Sequence, residues 1–143
     1  MGQSYHKIWI HVVWSTKNRV PIMKTEQRRK IIHHLQQKSR EFGYLLDELN
    51  RSEEHLHGLV QLYPTQSLST IMNALKGECS NWINAQDMFK MKFAWQRGYG
   101  AFSVSESQLK KVRNYIRGQE EHHRKKSYGE ELAQLTELRG LST

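Results

Sequence analysis

Apolar positions along the chain fall into blocks with two different periods. Residues 5–14, YHKIWIHVVW, are dense in Ile, Val and Trp, the composition of a buried strand. A polar turn over 15–19 closes it, and Pro21 lacks the backbone donor a longer strand would need. Thr25 can then cap a helix reaching about Phe42, with Ile31, Ile32 and Leu35 at helical spacing and Gly43 as its stop. Residues 44–49 predict a second strand, Asn50-Arg51-Ser52 a turn, and residues 54–63 a third strand that Pro64 ends. Ser67 opens a second helix running to about Ala85, whose apolar side carries Leu68, Ile71, Met72, Leu75, Cys79 and Trp82. Residues 98–104 read as a short fourth strand. A helix over about 106–122 follows, with Ser105 and Gln108 at capping-box spacing. A shorter helix over about 128–138 carries Leu132, Leu135 and Leu138.

The order β-α-β-β-α-β predicts an α+β fold of the ferredoxin-like kind. Two helices cover one face of an antiparallel sheet, and the other face is left for a ligand or for the added C-terminal helices. A chain of 143 residues suits one domain, 1–143, large enough to bury its own core. The single cysteine excludes a disulfide scaffold, so a cytoplasmic protein is expected. Cys79 itself, inside an apolar stripe, is expected to be a buried small hydrophobe. The first residues lack the pattern of a signal peptide. The most apolar run, 8–14, contains His11 and falls far short of the roughly 20 residues that span a bilayer, so no membrane partner is expected.

Charge adds the first functional signal. Twenty-two Lys and Arg against fourteen Asp and Glu give a net charge of +8, and the isoelectric point is near 9.7. Such a balance suits a polyanion, nucleic acid above all, although a solvated basic surface would look the same. Seven basic residues and two acidic ones lie between Lys110 and Lys126. Aromatic and basic residues are interleaved in Phe93-Ala94-Trp95-Gln96-Arg97-Gly98-Tyr99. Stacking groups beside cations favour single strands over a duplex groove.

Two constellations can carry chemistry. In His55-Leu56-His57 the imidazoles project from the same side of a strand and can share one metal ion, while Leu56, Val60 and Leu62 point into the core. Eight histidines would give about 0.4 His-x-His pairs by chance, so the bland reading, two partly exposed imidazoles, stays open. On the predicted helix after the fourth strand, Tyr115 and Gln119 are four apart and share a face bordering Leu109, Val112 and Ile116. A tyrosine there can simply pack. It can also act as a nucleophile, with Gln119 as an oxygen ligand completing a two-histidine metal site. A phenol with a reference pKa of about 10 attacks poorly unless a cation helps, and Lys111, one turn back, or the metal could do so. Phosphate chemistry with imidazole and amide ligands suits Mg²⁺ or Mn²⁺. The adjacent His122 and His123 point about 100° apart on a helix and read as a solvated pair.

Taken in order and spacing, four segments resemble the single-tyrosine transposases of small bacterial and archaeal insertion sequences, the IS200-like type within the His-hydrophobic-His endonuclease superfamily. They are Trp14-Ser15-Thr16-Lys17-Asn18-Arg19, Glu54-His55-Leu56-His57-Gly58-Leu59-Val60, the run from Trp95 to Ser105, and Val112-Arg113-Asn114-Tyr115-Ile116-Arg117-Gly118-Gln119. The resemblance spans nearly the whole chain. It implies a transposase that cuts and rejoins single-stranded DNA at hairpin-marked element ends. His55, His57 and Gln119 would hold a divalent ion, and Tyr115 would form a 5′-phosphotyrosine. Lys17, Asn18, Arg19, Arg97 and Lys111 would contact DNA, with Trp95 as a stacking platform or a core residue. A homodimer with active sites shared in cis or trans is implied as well. Glu53-Glu54 departs from the proline-aspartate pair of many relatives, which leaves an acidic role at the metal open. Two other readings stand beside this one. One is a non-catalytic single-strand nucleic-acid-binding module, and the other is an enzyme of the same superfamily acting on chromosomal repeats.

Overall fold

The computed structural model describes residues 3–118. The elements are β1 (Trp9–Ser15), α1 (Thr25–Glu41), β2 (Leu45–Arg51), β3 (His55–Gln61), α2 (Leu68–Ala85), β4 (Gly100–Val104) and α3 (Leu109–Arg117), with single 3₁₀ turns at Lys17–Arg19 and Glu106–Gln108. Strand order across the sheet is β2-β3-β1-β4, and every neighbouring pair is antiparallel. This is the ferredoxin-like arrangement that the element order predicts.

Period-two alternation sorts β1 and β3 between two faces. Val12 and Trp14 join Leu56 and Val60 in the main core, against Ile31 and Leu35 of α1 and Ile71, Met72, Leu75, Cys79 and Ile83 of α2. Trp9 and Leu59 look the other way and pack with Val104 beneath Val112 and Ile116 of α3. The sheet is thus covered on both sides, by two long helices on one and by a nine-residue helix on the other.

Several boundaries move, each for a local reason. β1 begins at Trp9; Tyr5 is exposed, while Ile8 still accepts a bond from the Leu62 amide at 2.7 Å. Thr25 is the first helical residue rather than the cap, and its hydroxyl accepts from Arg28 at 3.2 Å. β2 runs through the expected turn because Asn50 and Arg51 pair with His57 and Leu56, so the reversal falls on 52–54. The Ser105/Gln108 capping box does not form. The Ser105 hydroxyl instead meets that of Ser107, residues 106–108 make a 3₁₀ turn, and α3 starts at Leu109. Gln119, His122, His123 and the helix expected at 128–138 lie outside the described residues.

Candidate active site

His55 and His57 sit on the face opposite α1 and α2, as alternation requires, but they are not partly exposed. Both are fully buried. Their ring centroids are 5.1 Å apart. α3 closes over them, held by its apolar stripe Val112 and Ile116, and brings the Tyr115 ring to 5.7 Å from that of His57 at a steep 76°. One strand and one late helix of the same chain therefore present two imidazoles and a phenol to a common region.

A third imidazole belongs to this cluster and escaped the sequence reading. His11 of β1 is fully buried, on the same side as His57. Its Nε2 lies 2.8 Å from His57 Nδ1, and its ring is 6.1 Å from that of Tyr115. In register His11 faces Leu59 and His57 faces Val13, so the two histidines meet on the diagonal of the antiparallel pair. The only local signal was a polar residue interrupting an apolar run. His55 has a comparable neighbour: Ser52 Oγ is 2.7 Å from its Nδ1 and also accepts from the amides of Glu54 and His55. Each candidate ligand thus has Nδ1 engaged by a buried neighbour, so a cation would be met by Nε2. That is how protein imidazoles are usually held for a metal. The donor set fits a divalent ion to that extent. Among the described residues no group of three or more His, Cys, Asp or Glu is placed to hold a metal, and the expected third ligand, Gln119, lies beyond them.

The acidic pair before His55 now has a place. Glu53 pairs with Lys24 at 3.0 Å on the surface, and a Glu54 carboxylate oxygen lies 3.8 Å from His55 Nδ1.

α3 is also tied at its outer edge. β2 slips register between Leu46 and Leu49, and a strand irregularity of this kind re-aims side chains. Asp47, inside the slip, takes the Arg113 guanidinium at 2.9 Å, and Glu48 takes that of Arg117 at 2.9 Å. Asn50 donates to the Arg117 carbonyl at 2.9 Å, and Arg113 lies over the Trp9 ring at 5.4 Å. The bond and the nearby Asp47 charge hold Arg117 above its ordinary range, with Glu48 the larger cause.

The expected DNA contacts gather at the C-terminal end of β1, where Ser15 pairs with His55. Asn18, Arg19, Gln96, Arg97, Gly98 and Tyr99 line a cavity of about 660 Å³ together with Ser15 and Gly100. Two loops build it, bridged by Lys17 N–H to Ala94 O (3.0 Å), Gln96 N–H to Ser15 O (2.9 Å) and Asn18 N–H to the Gln96 side chain (3.0 Å). Asn18 and Arg19 both have left-handed backbones (φ 58° and 56°), a conformation costly for residues with side chains and frequent at functional loops. Lys76 of α2, another residue the sequence did not flag, donates to the carbonyls of Gln96 (2.9 Å) and Gly98 (2.7 Å), and burial lowers its pKa. Lys17 is exposed beside the cavity, and Lys111 is exposed on α3. Trp95 is turned inward. It is nearly buried between Trp14 and Phe93, at 5.9 and 4.7 Å, so its ring packs in the core rather than offering a stacking surface. The cause is the antiparallel bridge between Thr16 and Trp95, which fixes the loop against β1. Cys79 is buried as expected, and desolvation pushes its thiol pKa well up.

The chain thus combines a ferredoxin-like sheet, His-x-His on its third strand and a tyrosine-bearing helix over that face. Residues 4–119 match the family model described as Transposase IS200 like, and the chain belongs to that family. It is 28 % identical over 128 residues to the transposases for insertion sequence element IS200 of Salmonella typhimurium and Salmonella typhi, covering 86 % of this chain and 82 % of each relative. A crystal structure of a candidate transposase from Deinococcus radiodurans superposes with a TM-score of 0.67 at 24 % identity, over 84 % of this chain and 97 % of the other. A REP-associated tyrosine transposase bound to a REP hairpin gives 0.62 at 16 % identity, over 83 % and 70 %. These two structures confirm the fold. Among the described residues no helix is long and apolar enough to cross a membrane.

Proposed function

We propose that this transposase cuts and rejoins single-stranded DNA through a covalent tyrosine intermediate. The observation that carries the reading is the 5.7 Å approach of the Tyr115 ring to His57, one of two buried imidazoles on the same strand face. Tyr115 Oη attacks the scissile phosphorus and loses its proton. The P–O3′ bond breaks, the departing oxygen takes a proton to become a free 3′-OH, and the 5′ end stays linked to tyrosine. A 3′-OH on another strand reverses the sequence, so no nucleotide hydrolysis is needed. His55 and His57, with Gln119, would hold a divalent ion, Mg²⁺ or Mn²⁺, which when bound would supply Lewis-acid polarisation of the phosphate. Ser52 and His11 keep the two imidazoles oriented.

Arg19, Arg97 and Asn18, with Lys17 and Lys111 flanking, supply cations and donors for the strand entering the site. A hairpin substrate is supported by the IS200-like membership and by the hairpin held by the REP-associated neighbour. Tyr115 reaches its own chain's histidines, which favours an active site in cis within any homodimer.

The test is incubation of labelled hairpin-bearing single-stranded DNA with the protein and Mn²⁺. The expected product is a protein–DNA adduct that survives boiling in detergent, and it is lost with chelator or in Tyr115→Phe. An adduct persisting in Tyr115→Phe would move the nucleophile elsewhere. Binding without any adduct would favour a non-catalytic binding module.

A further inference from the structure

We propose that His11 is a positioning residue that sets the tautomer of His57, keeping the proton on Nδ1 so that Nε2 presents its lone pair to a divalent cation. The inference rests on the reading of His57 as a metal ligand and adds a residue to it. Two neutral imidazoles joined Nε2 to Nδ1 at 2.8 Å share one proton between them, so one ring donates and the other accepts. If His11 donated, His57 would carry its proton on Nε2 and could not ligate through it. If His57 donates, Nε2 bears the lone pair. Which nitrogen of a histidine is protonated is set by the bond the other nitrogen makes. Here that bond joins two fully buried rings.

The surroundings fix His11 itself. It sits mid-strand on β1, with paired strands on both sides and Phe102 of β4 at 6.3 Å, so its ring cannot swing away from His57. His11, His57 and Tyr115 lie within 6.1 Å of one another by ring centroids, which puts the positioning residue beside both reacting partners. A buried polar ring inside an otherwise apolar strand costs stability unless it is bonded, and His57 supplies that bond.

The experiment has two readouts. In the metal-free full-length protein at about pH 8, above the ordinary histidine range, nitrogen–proton correlation spectra should show His57 protonated on Nδ1. A wild-type His57 protonated on Nε2 would overturn the proposal without any variant being made. In calorimetric titrations with Mn²⁺ alone, His11→Met should weaken binding about 10–100-fold, the range seen when the partner of a ligating histidine is removed. His11→Gln should recover most of the loss, because its amide oxygen can accept from His57 at nearly the same place. A folded His11→Met that binds Mn²⁺ within about twofold of wild type would also sink the idea. If the wild type shows the Nδ1 tautomer, and His11→Met loses it, while neither protein binds Mn²⁺, the positioning role stands and the metal reading fails.

Discussion

The two faces of the sheet bury residues of opposite character. Among the described residues, the buried cluster toward α1 and α2 holds fifteen apolar residues and the one toward α3 holds five. Beside them, with Val13 and Phe102, that side buries a polar group: His11, Ser15, His55, His57 and Gln61. The difference teaches that stability and chemistry are divided between faces. One side is packed like any small domain. The other gives up apolar area so that imidazoles can meet a phenol, and it relies on ion pairs at the rim to keep the covering helix in place.

The strongest way to break the comparison is to remove a group from each side. His57→Ala should reduce adduct formation to background while leaving hairpin binding within a few-fold, because it removes a candidate metal ligand and none of the cations or donors that line the Arg19/Arg97 cavity. Leu75→Ala, on the opposite face and only 2 % exposed, should cost about 2–5 kcal/mol of stability. Its specific cleavage activity should be unchanged at temperatures where the variant is folded. Urea unfolding monitored by tryptophan fluorescence, alongside the adduct assay, checks both. Equal loss of binding and cleavage in His57→Ala would mean that the histidines merely support the fold.

A subtler separation lies within the α3 face. Asp47 and Arg113 are each about one-third exposed and Arg117 is 61 % exposed, so each pair is a modest surface interaction. Asp47→Asn with Glu48→Gln should loosen α3 modestly, seen as a rise of a few-fold at most in amide hydrogen exchange along α3. Raising salt should mimic part of this in the unaltered protein. Unchanged exchange would assign the docking of α3 to Val112, Ile116 and Trp9 alone.

The sequence exposed the apolar face well and the polar face in part. Strand and helix periods are local signals, so β1, β3, α1 and α2 could be read from their own residues, as could the common side of His55 and His57. His11 could not, because its partner lies across a strand pair on a diagonal that only register defines. Asp47 and Glu48 drew no notice, since the β2 irregularity that turns them toward α3 leaves no mark in composition. Trp95 was left between two readings for the opposite reason. Its setting between aromatics and Arg97 looks like a stacking platform, yet the Thr16 bridge folds the loop inward. Lys76 was hidden beside Leu75 on an amphipathic helix, and only the nearby loop reveals its two carbonyl partners.

The smallest expected effect is a null one, and it tests the division most directly. Cys79 is the one cysteine of the chain, fully buried against the α1/α2 side. Desolvation is the larger cause that holds its thiol pKa well above the ordinary range, with the nearby Glu78 charge adding to it. The reactive thiolate is therefore suppressed near neutral pH, and a thiol reagent can reach it only when the core opens. Raising pH within the range the folded protein tolerates should not restore reactivity, because the shift is upward and the thiol stays protonated. Labelling of Cys79 should then follow global unfolding, becoming faster in Leu75→Ala. It should be unaltered by Asp47→Asn with Glu48→Gln even where α3 exchange has risen. A parallel rise in both would show that the two faces open together, and that the tyrosine helix is part of the core's cooperative unit rather than a cover laid over it.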